Sequence, residues 1–381
     1  MDHLNAIIVT TEEGREMCSK YTKFLHKICG RPMIEWGIRT AKEFGAEKVV
    51  VVTTSNEVQA FLKDRVEVAL DMAQAMDLFS EGNLLVLNGA VPGITADCLS
   101  KAYGYHRNEQ ATVTDLKAND KTVAQFFALG EQREKAVSFF IEDDAIIEIC
   151  NRVQLAAAEK AIYSRTISQL QLSGVTIFDP DTTYISPDVS IGMDTVVLPG
   201  CHISGDTVIG EDCTIGPDTN LVQMKIGNSV TIKYTVGMES SVGDGTTVGP
   251  FAYIRPNSII GTNVKIGDFV EIKNSVIDTG TKVSHLTYVG DSDVGAGVNF
   301  GCGTVTVNYD GVHKHRTTIG DKAFIGCNTN LVAPVKVAPE AFIAAGSTIT
   351  EDIPNDCLAI ARARQTNIQG WVSNRKEKNS K

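Results

Sequence analysis

Residues 185–221 read ISPDVSIGMDTVVLPGCHISGDTVIGEDCTIGPDTNL, with an aliphatic side chain at every sixth position. The spacing slips by a residue or two after this stretch and then resumes, with occasional steps of five. The series is Ile185, Ile191, Val197, Ile203, Ile209, Ile215, Leu221, Val242, Val248, Ile254, Ile260, Ile266, Ile272, Ile277, Val283, Val289, Val294, Phe300, Ile319, Ile325, Leu331, Val337, Ile343 and Ile349. A helical period of about 3.6 and a strand period of about two both fail to explain it. A parallel β-helix from about Tyr184 to Ile360 does, because each hexapeptide places one side chain in the core and glycine permits tight corners.

The period of six fails in one place within this region, between Thr304 and Thr318. The intervening residues 305–316 read VTVNYDGVHKHR, which is polar and contains a glycine. Because binding and catalytic residues are often carried on loops held by a rigid scaffold, this insertion is predicted to contribute to a functional site.

Composition excludes several classes of protein. A chain of 381 residues predicts two to three domains. A net charge of −11 argues against broad binding to nucleic acid or an anionic membrane, although a local basic pocket can still hold a phosphate. The apolar run Ala6–Val9 is predicted to be a first strand, not a signal peptide, and no membrane span is expected. Nine scattered cysteines without a C-x-x-C pair argue against a disulfide framework or a zinc site and favour a cytoplasmic protein.

Seven short motifs follow one another along the repeat region. They are RP at 255–256, FVEIK at 269–273, SHLTYVGD at 284–291, VNFGCGT at 298–304, VNYDG at 307–311, LVAP at 331–334 and LAIAR at 358–362. From Gly174 to about Arg364 the chain resembles the acetyltransferase domain of bacterial bifunctional UDP-N-acetylglucosamine pyrophosphorylase / glucosamine-1-phosphate N-acetyltransferases. This resemblance implies a left-handed parallel β-helix with three hexapeptides per turn. It also implies acetyl-CoA as co-substrate and a cytoplasmic homotrimer of cell-wall peptidoglycan biosynthesis, with its sites where subunits meet.

The chemistry of such an enzyme requires a base, because the amine of an amino sugar is largely protonated at neutral pH. A histidine, with a pKa near about 6.5, is suited to take that proton. The resemblance makes His285 the base, since it alone of the seven histidines lies in the His-Leu-Thr-Tyr motif of the family. Arg255 and Lys273 match the positions that hold the sugar phosphate, where charge-assisted bonds to a dianion need cations. The remaining sugar-binding positions are matched by Tyr288, Asn299 and Lys314.

The resemblance also assigns positions that contact acetyl-CoA. They are matched by Cys302, Asn308, Tyr309, Cys327, Ala345 and Arg362. At two of them the family often has alanine or serine, whereas this chain has Cys302 and Cys327. Direct acetyl transfer needs no acyl-enzyme, so packing as small, soft side chains is the preferred interpretation and a nucleophilic role is the alternative.

Residues 1–150 resemble the nucleotidyltransferase half of the same family, with departures at its binding residues. The opening of the domain survives in AIIV at 6–9, SKYTKFLH at 19–26 and GRPM at 30–33. Glu12 stands where the family has a loop glycine, and Glu16 where it has a phosphate-binding arginine, so carboxylates replace the groups that cradle a triphosphate. Ala90 stands where the family has a magnesium-binding aspartate and offers no oxygen ligand.

Asn151 matches a second metal position of the family but lacks its partner, and the region between Ala90 and Asn151 is short for a sugar-binding lobe. Lys23 is retained and is interpreted as a solubilising side chain. We therefore expect a degenerate, reduced α/β domain with a parallel sheet, without uridylyltransferase activity and without a requirement for Mg²⁺.

The expected organisation has four parts. A degenerate nucleotidyltransferase-like domain spans 1–150, a linker helix 151–173, the left-handed β-helix acetyltransferase domain 174–364 and a charged, frayed tail 365–381. The predicted activity is acetyl transfer to an amino-sugar phosphate, most simply glucosamine 1-phosphate. Two alternatives remain open: an acetyltransferase for a different amino-sugar acceptor, and a non-catalytic trimeric scaffold or regulatory paralogue.

Overall fold

The computed structural model describes residues 3–10, 15–130 and 134–379. It divides into two compact units, Met1–Ser173 with Tyr184–Val189, and Gly174–Thr183 with Ser190–Lys381. The predicted change at Glu12 lies outside the described residues.

The first unit is an α/β domain built on a seven-stranded sheet of order β5-β4-β1-β6-β8-β7-β9. Its strands are β1 Leu4–Val9, β2 Lys27–Ile28, β3 Arg31–Pro32, β4 Lys48–Val52, β5 Glu67–Ala69, β6 Gly82–Asn88, β7 Val113–Ala118, β8 Lys121–Leu129 and β9 Ala136–Phe140. Its helices are α1 Met33–Phe44, α2 Asn56–Leu62, α3 Met72–Met76, α4 Ala96–Asn108 and α5 Arg152–Leu172. Strands β5, β4, β1 and β6 run parallel, as predicted, whereas β8 is antiparallel to both β6 and β7.

Helix α5 corresponds to the helix expected between the two halves. Asn151 caps it, since its side chain accepts hydrogen bonds from the amides of Val153 and Gln154, and Gln154 completes a capping box. Ala158 and Ile162 on this helix are fully buried in the core of the first unit. The helix is therefore a packed element of that unit and not a free connector.

The second unit is the predicted parallel β-helix, in which three strands make one turn, here called a coil. Face A consists of β10 Thr176–Ile177, β13 Val196–Val197, β16 Thr214–Ile215, β19 Thr231–Ile232, β22 Thr247–Val248, β25 Lys265–Asp268, β28 Lys282–His285, β31 Asn299–Phe300, β34 Phe324–Ile325, β37 Phe342–Ile343 and β39 Leu358–Ala359. Face B consists of β11 Tyr184–Ile185, β14 His202–Ser204, β17 Asn220–Val222, β20 Val236–Met238, β23 Tyr253–Ile254, β26 Glu271–Lys273, β29 Tyr288–Gly290, β32 Val305–Val307, β35 Asn330–Val332 and β38 Thr348–Ile349. Face C consists of β12 Ser190–Ile191, β15 Val208–Ile209, β18 Lys225–Ile226, β21 Ser241–Val242, β24 Ile259–Ile260, β27 Val276–Ile277, β30 Ser292–Val294, β33 Thr317–Ile319 and β36 Val335–Val337.

Every aliphatic or aromatic residue of the predicted six-residue series is buried, which confirms the core. The series slips between Leu221 and Val242 because steps of five place Ile226 and Gly237 at the inward positions. Gly237 leaves room that Met224 fills, since a β-carbon there would lie 3.2 Å from the methyl carbon of Met224. Methionine is suited to fill such an irregular gap.

Buried hydroxyl groups join successive coils at the corners. The hydroxyl of Thr246 donates to the carbonyl of Gly261 at 2.8 Å and accepts from the amide of Val264 at 3.0 Å. Thr281 repeats this arrangement two coils later with Gly295 and Val298. These bonds satisfy backbone groups that the corners would otherwise leave unpaired in the core.

The C-terminal tail differs from the frayed segment predicted, because it contains helix α6, Trp371–Asn379. The amide of Asn374 donates to the carbonyl of Gly370 at 3.0 Å. The guanidinium of Arg375 lies 5.0 Å from the ring centroid of Trp371, one helical turn away. This contact between residues four apart stabilises a helix that charge alone does not predict.

Strand β24 offers a direct test of the inward and outward positions. Ile260 is 1% exposed and Ile259, its neighbour, is 55% exposed. We expect Ile260→Ala to lower the free energy of unfolding by about 2–5 kcal/mol, because it leaves a cavity in the core. Ile259→Ala is expected to stay within about 0.5 kcal/mol of the unchanged protein. Urea unfolding measures both variants, and equal losses would contradict the assignment of the two positions.

Candidate active site

Face B presents a set of charged side chains on four successive coils. Side chains alternate between the two sides of a strand, so residues that flank an inward aliphatic residue point outward. Ile272 points inward on β26, and its neighbours Glu271 and Lys273 point outward. Arg255 follows β23 one coil earlier, and its guanidinium forms an ion pair with Glu271 at 2.7 Å. This ion pair raises the pKa of Arg255.

Asp291 organises the next part of the surface, where face B turns toward face C. It is 5% exposed and accepts hydrogen bonds from the side-chain amides of Asn274 and Asn308, both at 2.5 Å. The ammonium of Lys273 lies 3.5 Å from the same carboxylate. Burial opposes ionisation of Asp291, but these hydrogen bonds and the charge of Lys273 hold its pKa below the usual value. A buried anion therefore fixes Lys273 and Asn308.

The side chains of Lys273 and Lys314 are in contact beside Asp291. A hydrogen bond with Lys314, together with the attraction of Asp291, raises the pKa of Lys273. The same contact with Lys273 lowers the pKa of Lys314, because two like charges in contact favour the neutral form of one of them. An anion placed between them would remove this conflict, so the pair is suited to bind a phosphate.

Tyr288 lies along β29 over Gly290. A β-carbon at Gly290 would clash with the phenol of Tyr288, so glycine lets the ring lie against the sheet. The side-chain amide of Asn308 donates to the hydroxyl of Tyr288 at 3.3 Å. The ring is thereby tied to the same network as Asp291.

The predicted insertion is an ordered loop between β32 and β33. Asp310 holds it, since its carboxylate accepts from the amides of Val312 and His313 at 2.7 and 2.6 Å and contacts the ring of His315 at 2.7 Å. The bonds from His313, His315 and Val312 lower the pKa of Asp310 to about 2. Tyr309 and Lys314 form an isolated antiparallel bridge that closes the loop. The loop thus delivers Lys314 to face B.

His285 lies at the corner between faces A and B, three residues before Tyr288. Its Nδ1 lies 2.6 Å from the carboxylate of Asp268, which is its register partner one coil earlier. This hydrogen bond holds the pKa of Asp268 below its usual value. Because a carboxylate accepts the hydrogen on Nδ1, the lone pair of the imidazole is left on Nε2. The His285 side chain is 56% exposed, so Nε2 is accessible to a proton donor.

A single column of side chains runs along this corner. The register of β28 with β31, β34 and β37 places Cys302, Cys327 and Ala345 at the position that His285 occupies on its own coil. Backbone bonds continue the column, from Asn328 to Cys302 at 2.7 Å and from Gly346 to Cys327 at 2.8 Å. The next coil brings the Arg362 side chain to 3.9 Å from the position of a β-carbon on Gly346. We call His285, Cys302, Cys327 and Ala345 the corner column.

The structure thus groups the predicted site residues in two sets. Lys273, Tyr288, Asn308 and Lys314 belong to the network on face B, and Arg255 lies beside it. The corner column, with Arg362 next to it, is the second set. Asn299 pairs with Lys282 on face A. Within the described part of the chain, the side chains of Asn299 and His285 form no hydrogen bond to the face B network.

Sequence reasoning missed three of these residues, namely Asp268, Asn274 and Asp291. Each is 17 residues from its partner, which is one coil. A search for polar residues at the coil length before or after His285 and Asn308 would have found Asp268 and Asp291.

In the first unit, the side chains of Asn88 and Glu148 lie close to Ala90. Asn88 accepts from the amide of Ala90 at 2.9 Å and donates to Glu148 at 3.0 Å. Glu148 is paired with Lys121 at 2.5 Å, and this hydrogen bond lowers the pKa of Glu148. Among the described residues, no group of three or more His, Cys, Asp or Glu side chains is arranged to hold a metal ion.

The interpretation of Lys23 as a solubilising side chain is wrong, because Lys23 is only 2% exposed. Its ammonium lies 5.2 Å from the ring centroid of Phe24. Phe24 lines a cavity of about 180 Å³ together with Val9 and Asn88, at the carboxyl ends of β1 and β6. Asn151, interpreted as a former metal position, serves as the cap of α5. Glu16 lies within the part of the chain that the structure describes, and its side chain is exposed to solvent.

No helix in the described part of the chain is both long and apolar enough to cross a membrane.

The chain is similar to known proteins over nearly its whole length. Residues 188–222 and 239–274 match the family model described as bacterial transferase hexapeptide (six repeats). The bifunctional protein GlmU of Thermoanaerobacter pseudethanolicus is 41% identical over 454 residues, which covers 99% of each chain. The protein of that name from Acetivibrio thermocellus is 40% identical over 98% of each chain. That from Brevibacillus brevis is 37% identical over the full length of both.

Proposed function

The chain belongs to the family of bifunctional GlmU proteins, which makes it an N-acetyltransferase of the glucosamine-1-phosphate type, and we propose that His285 is its general base. One observation carries this assignment. Asp268 holds the ring of His285 through Nδ1, so that Nε2 is free at an exposed corner of a rigid scaffold. A positioned imidazole of this kind is suited to remove a proton from an attacking amine.

The reaction then proceeds by direct transfer. The Nε2 of His285 takes a proton from the sugar amine, and the nitrogen attacks the thioester carbonyl of acetyl-CoA. The tetrahedral intermediate collapses with loss of the CoA thiolate, which receives a proton from the imidazolium. Asp268 stabilises the imidazolium that forms between these steps. The products are N-acetylglucosamine 1-phosphate and CoA.

In this proposal each of the two sets of residues binds one substrate. We assign the acceptor to the face B network, where Arg255, Lys273 and Lys314 surround the phosphate and Tyr288 lies against the sugar. Asn299 completes the acceptor site in this proposal. We assign acetyl-CoA to the corner column, with Asn308, Tyr309 and Arg362 beside it. His285 lies at the end of this column and three residues from Tyr288, so it is suited to act between the two substrates.

We further propose that the assembly is a cytoplasmic homotrimer with left-handed coils. Several apolar side chains on the surface of one protomer support an interface between copies. The rings of Phe324 and Phe342 stack at 4.4 Å on the outward side of face A and are 37% and 46% exposed. A closed threefold arrangement would cover such a face in every protomer.

The two alternatives make different demands on the same residues. An enzyme with a different amino-sugar acceptor would still require His285 and the corner column. It would not require three cations on face B. A scaffold would need neither the Asp268–His285 pair nor the buried Asp291 that fixes Lys273. The presence of all these groups supports the enzyme with a phosphorylated acceptor.

For the first unit we propose a loss of uridylyltransferase activity. Ala90 is fully buried and its side chain has no oxygen to bind Mg²⁺, and the side chains of Asn88 and Glu148 are hydrogen-bonded to each other. The alignments also support a reduced domain, because they span 454 positions whereas this chain has 381 residues.

His285→Ala is expected to lower kcat by about 10²–10⁴, the usual contribution of a positioned base. The KM for acetyl-CoA should change little, because the proton transfer occurs after binding. Asp268→Asn should give a smaller loss in kcat, since it keeps the histidine but not the charge. Thiol release from acetyl-CoA measures all variants, and His202→Ala, at an exposed position on β14, is the control. A kcat for His285→Ala near that of the control would contradict the assignment.

Glucosamine 1-phosphate should exceed free glucosamine in kcat/KM by at least about a hundredfold. The phosphate forms charge-assisted bonds to two or more cations, each worth about 1.5–3 kcal/mol. Arg255→Ala should reduce this preference more than it harms the reaction of the free sugar, whereas Lys225→Ala on face C should leave it unchanged. Equal kcat/KM values for the two acceptors would favour the paralogue with a different acceptor.

Uridylyltransferase activity should be absent. Pyrophosphate release from UTP and N-acetylglucosamine 1-phosphate with Mg²⁺ should equal that of a reaction without protein, because the metal position carries Ala90. Acetyl transfer in the same preparation shows that the protein is folded. Release that saturates with UTP would show that the first unit is active.

The protein should behave as a homotrimer in solution. Light scattering at assay concentration should give three times the chain mass. Phe342→Lys should shift the protein toward monomer and lower acetyl transfer together, because burying an unpaired charge at an interface is costly. Lys225→Glu, at an exposed position on face C, serves as the control. A fully active monomer of the unchanged chain would rule out a site shared between subunits.

A further inference from the structure

We propose that Cys302 and Cys327 form a reversible disulfide that controls access to the corner column. The two thiols lie on consecutive coils at the same register position. Phe300 pairs with Ile325, and both cysteines follow two residues later. The amide of Asn328 donates to the carbonyl of Cys302 at 2.7 Å, which keeps the two backbones in register up to the cysteines.

The spacing of the coils suits a cross-link. Neighbouring strands lie about 4.7–4.9 Å apart, and the Cα atoms of a disulfide are usually about 4.4–6.8 Å apart. A β-carbon on Gly301 would lie 2.5 Å from the amide nitrogen of Cys327, which shows how closely the two coils approach before the cysteines. In-register β-carbons lie somewhat wider than a relaxed disulfide needs. The bond is therefore expected to be easily reduced, as regulatory disulfides are.

The accessibility of these cysteines separates them from the two buried cysteines of the β-helix. Cys327 is exposed and Cys302 is partly exposed. Cys201 and Cys213 are buried, and burial raises the pKa of Cys201 to about 11. Thiolates attack disulfides and thiols do not, so the buried pair is inert under conditions that oxidise the exposed pair.

The chemistry is a thiol–disulfide exchange with a small disulfide such as oxidised glutathione. The thiolate of Cys327 attacks one sulfur and releases one glutathione, which leaves a mixed disulfide. The thiolate of Cys302 then attacks the sulfur of Cys327 and releases the second glutathione. The two cysteines lose two electrons and two protons, and one oxidised glutathione becomes two reduced molecules. A dithiol reverses both steps.

The effect on activity rests on the proposed function, because the corner column is assigned to acetyl-CoA there. A cross-link draws two neighbouring side chains of the column together and removes both thiols from the surface that the cofactor would contact. We expect a fall of at least about tenfold in kcat/KM for acetyl-CoA, since displacement of about 1 Å near a bound substrate can cost more than that.

The experiment treats the full chain with oxidised glutathione and maps the product by mass spectrometry of peptides under non-reducing conditions. A Cys302–Cys327 cross-linked peptide should form and disappear with dithiothreitol. Cys302→Ser should trap a glutathione adduct on Cys327, and the double variant Cys302→Ser with Cys327→Ser should form neither the adduct nor the cross-link. Cys18→Ser, which removes an exposed cysteine of the first unit, is the matched control and should still form the cross-link.

The two readouts separate this inference from the proposed function. A cross-link that lowers acetyl transfer reversibly supports both. A cross-link that leaves a measurable rate of acetyl transfer unchanged overturns the proposal that the disulfide controls access to the corner column. Adducts on single cysteines, with no cross-linked peptide, overturn the disulfide even where acetyl transfer is normal. A cross-link in a protein that transfers no acetyl group supports the disulfide and removes the proposed function.

Discussion

The hydrogen bonds between successive coils fix the rest of the β-helix, because they set which residues stand above one another. Each coil pairs with the next in register along all three faces. Residues that are 17 positions apart in the sequence can therefore touch, as Asp268 and His285 do. The aliphatic core supplies much of the stability, but the ladder of backbone bonds determines the position of each outward side chain. A site built in this way is rigid before any substrate arrives, so little ordering is needed on binding.

Charge is arranged on this scaffold with one buried anion at its centre. The carboxylate of Asp291 accepts hydrogen bonds from two side-chain amides and pairs with one ammonium, and it is nearly inaccessible to water. A buried carboxylate is costly unless it is paired, so its partners are held firmly in place. Lys273, held by Asp291, is in turn in contact with Lys314. The protein as a whole has a charge of −11, yet this small region concentrates cations. Local geometry, not net charge, therefore determines what the surface can bind.

Some of this could be predicted from the sequence, and the reasons differ from element to element. The inward series was predictable because a period of six is incompatible with other regular structures, and the full set from Ile185 to Ile349 is buried. The parallel sheet of the first unit followed from its alternating pattern. Asp268 and Asp291 were missed because their importance comes from the neighbouring coil. The burial of Lys23 was not predicted because burial of a lysine depends on tertiary packing. Helix α6 was not predicted because charge alone does not show that a segment forms a helix.

The loop that follows β32 shows what such a scaffold permits. It leaves the β-helix after one strand and returns at the next, and β32 and β33 keep their register with the coils on either side. The entropy of closing a loop rises only slowly with its length, so residues can be added there at little cost in stability. An extra residue within a strand would instead exchange the inward and outward positions of the residues that follow it in that strand. Variation in chain length should thus accumulate at corners, where new chemistry can be acquired without rebuilding the core.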